Sequence, residues 1–132
     1  MTTTNHTNTT ILCIDDNESI LHYEKMLLER AGYAVITAAS EDQALRLATM
    51  CEIDAVLLDY EMPGMNGDEI ALEIKRIRPE LRIILLSGSE VPRHVLTLVD
   101  AFVHKLDAAR QLLPMIADLC IRTPQPRQGL AE

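Results

Sequence analysis

The sequence has few cysteines and no long apolar segment. Its three cysteines, Cys13, Cys51 and Cys120, lie far apart and form no CxxC pair, which argues against a disulfide framework or a zinc site and favours small buried side chains. No apolar run approaches the roughly 20 residues that cross a bilayer. The polar start, MTTTNHTNTT, lacks the charged and apolar regions of a signal peptide. We therefore expect a cytoplasmic protein that does not enter a membrane.

Basic residues are also scarce. Twelve lysines and arginines stand against twenty acidic residues, which gives a net charge of -8 and disfavours contact with the phosphate backbone of nucleic acids. The phosphate-binding patterns G-x-G-x-x-G and G-x-x-x-x-G-K-[ST] are both absent. We therefore expect neither direct nucleic-acid binding nor nucleotide binding.

The composition is that of one folded domain with short tails. The chain has 132 residues, of which 48% are hydrophobic and 24% charged, enough for an ordinary domain with an apolar core. We predict a disordered polar tail at 1–9, a folded domain at 10–121, and a disordered tail or truncated linker at 122–132, where proline and glutamine are frequent.

Short apolar segments alternate with helical patterns along this domain. Nearly uninterrupted apolar runs predict buried parallel strands, and two more mixed segments predict edge strands. These strands are expected at 10–14, 33–37, 54–58, 82–86 and 101–104, and helices at 18–31, 41–50, 68–77 and 108–121. Pro92 leaves only about 92–99 for a short fourth helix, and Pro114 should kink or split the last one.

The alternation predicts a doubly wound α/β fold with five parallel strands and about five helices. We assume the strand order 2-1-3-4-5, one of the two common arrangements of such sheets. In this arrangement the carboxyl ends of the strands meet at one edge of the sheet, where ligands bind.

Polar side chains stand where the predicted strands end. They are Asp15 and Asp16, Asp59, Ser87, and His104 with Lys105. Neighbouring carboxylates repel each other, by about 4 kcal/mol for a pair 4 Å apart at an effective dielectric of 20, so a cation must offset the charge or a pKa must rise. Such oxygens suit Mg²⁺. With Mg²⁺ and Lys105 beside it, Asp59 could act as a nucleophile toward a phosphoryl group.

The segment LLDYEMPGMNGDEI at 57–70 has an apolar strand, an aspartate, Met-Pro, and a glycine two residues after a second methionine. Together with Asp15, Asp16, Ser87 and Lys105, this pattern resembles the receiver domain of two-component response regulators, of the kind found in chemotaxis regulators. The resemblance covers about 10–121 and implies a flavodoxin-like fold.

The resemblance also implies a role for each site residue. Asp59 would accept a phosphoryl group from a histidine kinase or phosphotransfer protein, and Ser87 and Lys105 would contact that group. Mg²⁺ would be held by Asp15, Asp16, Asp59 and the backbone carbonyl of Glu61. Phe102 would change rotamer together with Ser87.

Phosphorylation would then shift a conformational equilibrium and alter a surface that binds a downstream protein or output domain. The chain would act as a monomer or a phosphorylation-dependent dimer. It would catalyse its own phosphorylation and dephosphorylation and would not turn over an external substrate.

Two departures from the family pattern support an alternative. Leu106 follows Lys105 where the family usually has proline, and the stretch from Ser87 to Lys105 is shorter than usual by about one helical turn. The alternative is a pseudo-receiver that acts as a phosphorylation-independent interaction module. A phosphohydrolase with an aspartate nucleophile is a third hypothesis, although the sequence DYE at 59–61 lacks the second aspartate of such enzymes.

Each site residue also has a simpler interpretation. Asp15 and Asp16 could form a turn or cap the following helix, Asp59 could likewise form a turn, and Ser87 could cap helix four. Lys105 could be a solvated surface lysine, and Phe102 could serve packing alone.

Overall fold

The structure is a computed structural model that describes residues 9–122, with side chains described as far as Cys120. In chain order the elements are β1 (Thr10–Ile14), α1 (Glu18–Arg30), β2 (Ala34–Ala38), α2 (Glu41–Met50), β3 (Ala55–Asp59), α3 (Gly67–Ile77), β4 (Arg82–Ser87), α4 (Arg93–Leu96), β5 (Ala101–His104), a 3₁₀ turn (Lys105–Asp107) and α5 (Ala108–Arg122). The predicted tails at 1–9 and 122–132 lie almost entirely outside the described residues.

The five strands form one parallel sheet in the order β2-β1-β3-β4-β5. This confirms the predicted fold class, the strand order, and the assignment of β2 and β5 as edge strands. In the central strands almost every residue is buried, because helices cover both faces of the sheet. Helices α2 and α3 contribute to the core on one face, and α1 and α5 to the core on the other.

Short-range signals in the sequence define where the helices begin and end. The Asn17 side chain caps α1 by accepting hydrogen bonds from two backbone N–H groups of its first turn. At the start of α2, Ser40 accepts from the Gln43 backbone, and the Gln43 side chain accepts from the Ala39 backbone at 2.9 Å. Gly32, with φ of 100°, follows α1 in the left-handed region that glycine adopts without strain.

Helix α4 is a single turn that follows Pro92, which confirms the prediction of a short fourth helix. The chain then returns to the sheet through Asp100, whose carboxylate accepts a hydrogen bond from the Ile83 backbone at 2.8 Å and pairs with Lys75 at 2.8 Å. This contact fixes the start of β5 and so the position of the strand that leads to Lys105. None of the helices between residues 9 and 122 is long and apolar enough to span a membrane.

Helix α5 continues through Pro114, so of the predicted kink or split the split does not occur, and the kink stays a prediction. Pro114 is exposed and lies between the buried residues Leu112 and Ile116. Packing of these neighbours against the sheet holds the helix together across the missing hydrogen bond. The carbonyl left without a donor belongs to Arg110, an exposed residue, where water can reach it.

Replacing Pro114 with Ala should restore this hydrogen bond and raise the free energy of unfolding by about 1–3 kcal/mol. Urea denaturation followed by circular dichroism measures the difference. Gln111→Ala, at an exposed position of the same helix, is the control and should change stability by less than about 0.5 kcal/mol. Equal or lower stability of Pro114→Ala would show that the native helix already accommodates the proline without cost.

Candidate functional site

Asp59 is the last residue of β3 and lies at the centre of the site. It is 2% exposed, and Lys105 Nζ lies 3.1 Å from its Oδ2 atom. The Glu61 backbone N–H donates to its Oδ1 atom at 3.0 Å. Both carboxylate oxygens therefore have a partner, and the side chain is fixed at the carboxyl end of the central strand.

Asp15 lies directly after β1 and is 1% exposed. Its Oδ1 atom accepts a hydrogen bond from the Asn17 backbone at 2.9 Å, but its Oδ2 atom has no hydrogen-bond partner. Burial raises the pKa of Asp15 to about 7, and the nearby Asp59 carboxylate adds to this effect. Since Asn17 caps α1, the simpler interpretation of the aspartate pair as a helix cap is wrong.

Asp16 connects the end of β1 to the loop after β3. Its Oδ2 atom accepts a hydrogen bond from the Gly64 backbone at 3.0 Å. A Cβ atom at Gly64 would lie 3.3 Å from that oxygen, so the absence of a side chain permits this close approach. Gly64, in the Met-Pro-Gly segment of the family pattern, thus contacts Asp16 directly.

The donor chemistry of this pocket fits Mg²⁺. Every candidate ligand is an oxygen atom, and the unpaired Asp15 Oδ2 is a buried acceptor near the Asp59 carboxylate. Within residues 9–120, no three His, Cys, Asp or Glu side chains form a metal-binding group by themselves. Mg²⁺ needs only one or two carboxylates because it keeps several waters. Asp16 and the Glu61 carbonyl remain predicted ligands.

Ser87 ends β4 and is fully buried. Its hydroxyl donates to the Ser89 carbonyl at 2.9 Å and accepts from the Ser89 backbone N–H at 3.1 Å. Helix α4 begins after Pro92 and has no side-chain cap, so the interpretation of Ser87 as a cap for helix four is wrong. The strand pairing places Asp59 opposite Leu86, so Ser87 lies one residue further along the neighbouring strand at the same edge of the sheet. Its contact with a phosphoryl group stays a prediction.

Lys105 reaches Asp59 with Leu106 in the position where the family usually has proline. The Leu106 N–H donates to His104 Nδ1 at 3.1 Å and begins the 3₁₀ turn, a bond that proline could not make. The Leu106 side chain itself is 87% exposed. Lys105 is therefore part of the site, and its interpretation as a solvated surface residue is wrong.

The charge of Lys105 is stabilised by the carboxylates around it. Burial alone lowers the pKa of Lys105, but the hydrogen bond that Lys105 donates to Asp59 and the charges of Asp59, Glu61 and Asp15 outweigh this and raise it. The ammonium thus remains charged at neutral pH and partly offsets the carboxylate repulsion that the sequence predicts.

Phe102 lies outside this pocket. It is half-buried on β5, packs against the core, and borders a groove of about 280 Å³ together with Val91, Leu96 and His104. Its packing role is consistent with this position, and the predicted rotamer change stays a prediction.

Sequence reasoning missed the burial of Glu24. This α1 residue is 4% exposed, and its Oε1 atom has no hydrogen-bond partner. Burial, followed by the negative charges of Asp15 and Asp59, raises the pKa of Glu24 to about 8. The available signal was its spacing between Leu21 and Leu28, which places it on the buried face of α1.

Glu24→Gln should therefore stabilise the protein in a pH-dependent way. The folded-state pKa lies above the value of 4.5 for an unperturbed glutamate, so the wild type loses stability as pH rises from about 4.5 to about 8. We expect the variant to exceed the wild type by about 2–4 kcal/mol at pH 9 and to match it near pH 4.5. Urea denaturation at both pH values measures this. The exposed Glu90→Gln should show no such trend, and a pH-independent difference for Glu24→Gln would contradict the explanation.

The comparison with known proteins agrees with this geometry. The family model described as "Response regulator receiver domain" matches residues 11–116. The chain belongs to this family. Among curated relatives, the receiver domain is 34% identical over 83 residues to the alkaline phosphatase synthesis transcriptional regulatory protein PhoP of Bacillus subtilis, covering 63% of this chain and 35% of PhoP. It is 29% identical over 123 residues to the sensory/regulatory protein RpfC of Xanthomonas campestris, covering 87% of this chain and 17% of RpfC.

Solved structures share the same fold. The response regulator TrrA of Thermotoga maritima, in complex with Mg(2+)-BeF, matches the receiver domain with a TM-score of 0.77 and 32% identity, over 84% of this chain and 98% of that one. TrrA in complex with the histidine kinase ThkA matches with a TM-score of 0.76 and 32% identity, over 84% and 97%. A CheY-like receiver from Methanospirillum hungatei matches with a TM-score of 0.78 and 27% identity, over 86% and 94%. The receiver domain thus spans nearly all of these structures but about a third or less of PhoP and RpfC.

Proposed function

We propose that this receiver domain accepts a phosphoryl group on Asp59 in a two-component phosphorelay. The observation that carries the proposal is the buried Asp59 carboxylate, held 3.1 Å from Lys105 Nζ near the unpaired oxygen of Asp15. A carboxylate held between a cation and a further carboxylate is suited to nucleophilic attack on phosphorus once a metal completes the charge balance.

The proposed transfer replaces one bond to phosphorus with another. An oxygen of Asp59 attacks the phosphorus of a phosphohistidine donor, the phosphorus–nitrogen bond breaks, and the donor imidazole leaves with the electron pair. Asp15, Asp16, Asp59 and the Glu61 carbonyl would hold Mg²⁺, which supplies charge neutralisation when bound. Lys105 pairs with the charge of the transferred group.

Ser87 and Phe102 would change conformation when Asp59 is phosphorylated. The Ser87 hydroxyl would leave the Ser89 carbonyl, its present acceptor, and donate to a phosphoryl oxygen. This rearranges the loop that follows β4, and Phe102 would move with it. The alternative of a pseudo-receiver loses support because Lys105 reaches Asp59 with Leu106 beside it.

The partners follow from the chemistry of the donor and from the relatives. A histidine kinase or phosphotransfer protein would supply the phosphoryl group, and the complex of TrrA with ThkA supports this class. A downstream protein or an output domain would bind the altered surface. We propose a cytoplasmic monomer or phosphorylation-dependent dimer that catalyses its own phosphorylation and dephosphorylation, with no turnover of an external substrate.

Incubation with acetyl phosphate and Mg²⁺, followed by intact-mass measurement, tests the proposal. We expect one phosphoryl group per chain, none when EDTA replaces Mg²⁺, and loss of the group in hydroxylamine, which cleaves acyl phosphates. No added mass in the presence of Mg²⁺ would favour the pseudo-receiver. Repeated turnover of a small phosphate ester would instead favour the phosphohydrolase hypothesis.

A further inference from the structure

The Glu61 side chain bridges the two loops that follow β3 and β4. Its Oε1 atom accepts a hydrogen bond from the Gly88 backbone at 2.8 Å, and its Oε2 atom accepts from the Ser89 hydroxyl at 2.6 Å. Gly88 and Ser89 directly follow Ser87 at the end of β4. One carboxylate thus holds the loop that Ser87 would have to move.

The same carboxylate also lies beside the cation of the site. Glu61 Oε1 is 3.9 Å from Lys105 Nζ, which in turn is 3.1 Å from Asp59 Oδ2. Two carboxylates therefore share one ammonium group. The Glu61 carboxylate thus faces two hydrogen-bond donors and an ammonium group at once.

We propose that Glu61 is a positioning residue whose carboxylate holds the β4–α4 loop in its unphosphorylated position and competes with a phosphoryl group on Asp59 for the Gly88 N–H and Lys105. This inference rests on the proposed function. The contacts of Glu61 are those that an anion makes: a backbone N–H, a hydroxyl and an ammonium group. In the unphosphorylated protein the Glu61 carboxylate already contacts these groups, so a phosphoryl group would have to displace it.

Phosphorylation supplies the force that displaces Glu61. The phosphoryl group adds negative charge next to an ammonium that Asp59 and Glu61 already share, and like charges at this range repel each other. Ser87 is coupled to the same event, because its hydroxyl bonds the Ser89 carbonyl while the Ser89 hydroxyl bonds Glu61. Turning Ser87 toward the phosphoryl group and releasing Glu61 therefore involve the same loop.

Gly88 makes the bridge possible. A Cβ atom at this position would lie 3.3 Å from Glu61 Oε1 and 3.7 Å from Lys105 Cδ. A side chain there would press on both charged groups. The bridge is exposed on one side, since the Glu61 side chain is 40% exposed, so we expect a moderate effect that can be reversed by phosphorylation.

The first measurement is amide hydrogen exchange at Gly88 in the unphosphorylated protein, followed by NMR. We expect exchange to be roughly five- to tenfold faster in Glu61→Ala than in the wild type. Glu90→Ala, which removes the same charge from an exposed position in the same loop, is the control and should leave the rate unchanged. Equal exchange in Glu61→Ala and the wild type would overturn the inference.

The second measurement is a titration with beryllofluoride in the presence of Mg²⁺, followed by NMR. Glu61→Ala should bind this phosphoryl mimic roughly three- to tenfold more tightly than the wild type and Glu90→Ala. Ser89→Ala removes one contact of Glu61 without changing the charge, and it should bind about two- to threefold more tightly. Equal or weaker binding by both variants would overturn the competition.

The two measurements separate this inference from the proposed function. If the wild type binds beryllofluoride and the variants bind it equally, only the inference fails. If the wild type does not bind beryllofluoride and takes no phosphoryl group from acetyl phosphate, the proposed function fails and the competition fails with it. In that case the exchange rate at Gly88 still shows whether Glu61 holds the loop.

Discussion

Asp59→Asn is expected to take up no phosphoryl group from acetyl phosphate under conditions in which the wild type takes up one per chain. An amide has almost the shape of the carboxylate, so the hydrogen bond from the Glu61 backbone to Oδ1 can remain. It lacks the negative charge and the nucleophilic oxygen that attack on phosphorus requires. Intact-mass measurement after incubation with acetyl phosphate and Mg²⁺ gives the result directly.

The control must separate loss of the acceptor from loss of the fold. Asp42→Asn changes an aspartate on α2 whose side chain is 94% exposed, and it should be phosphorylated like the wild type. Circular dichroism should show that Asp59→Asn is folded, since the substitution removes a charge from a buried group of carboxylates. Phosphorylation of Asp59→Asn at the wild-type level would place the acceptor elsewhere and overturn the proposed function.

The sheet could be predicted because burial on both faces leaves a simple trace in the sequence. In β1 and β3 the residues are buried one after another, which requires consecutive apolar residues. Their observed bounds differ from the predicted ones by at most one residue. The order of the strands was an assumption, because a run of apolar residues does not record which neighbour it pairs with.

Helix α5 shows where a local rule gives way to tertiary packing. Proline inside a helix removes one hydrogen bond and opposes the preceding turn. In α5 the buried residues Leu112, Ile116 and Leu119 pack on both sides of Pro114, and burial of such side chains contributes about 1.5–3 kcal/mol each. The free energy gained by burying these side chains exceeds the cost of proline inside the helix. The sequence indicates that cost, but it does not show how strongly the helix packs on the sheet.

The residues of the site could be predicted for a geometric reason, whereas their contacts could not. Asp59, Ser87 and Lys105 stand at or just after strand ends, and parallel strands bring those ends to one edge. The hydrogen bonds of Glu61 to Gly88 and Ser89 depend on two loop conformations that no periodicity encodes. The same holds for the contact between Asp16 and Gly64.

Asp15→Asn is expected to raise the free energy of unfolding in the absence of metal by about 2–4 kcal/mol at pH 8. Asp15 is buried, one of its oxygens has no partner, and its pKa is raised to about 7. At pH 8 the wild type must therefore hold an ionised carboxylate next to Asp59. Asparagine keeps the acceptor for the Asn17 backbone and places an amide donor where the proton would be.

The pH dependence of this effect has a defined sign. The folded-state pKa of about 7 lies above the ordinary value of 3.8, so folding favours the protonated form. Ionisation of Asp15 therefore does not reduce the stability of the wild type below about pH 4, and its full effect is present above about pH 7. Urea denaturation of both proteins in EDTA should thus give equal stabilities at pH 4 and a clear gain for Asp15→Asn at pH 8. A difference that does not change with pH would contradict the assignment.

Mg²⁺ should reduce the stability advantage of Asp15→Asn over the wild type. A ligand that binds only the folded state raises stability by RT ln(1 + [L]/Kd), about 2.7 kcal/mol at one hundred times Kd. The wild type, with the Asp15 carboxylate intact, should gain stability as Mg²⁺ is added at pH 8, whereas Asp15→Asn should gain little. Asp42→Asn, with the same change at an exposed site, should respond like the wild type. We expect the loss because the unpaired Asp15 Oδ2, which lowers the stability of the metal-free protein, is also the oxygen proposed to bind Mg²⁺. If Asp15→Asn gains as much stability from Mg²⁺ as the wild type, Asp15 is not a metal ligand.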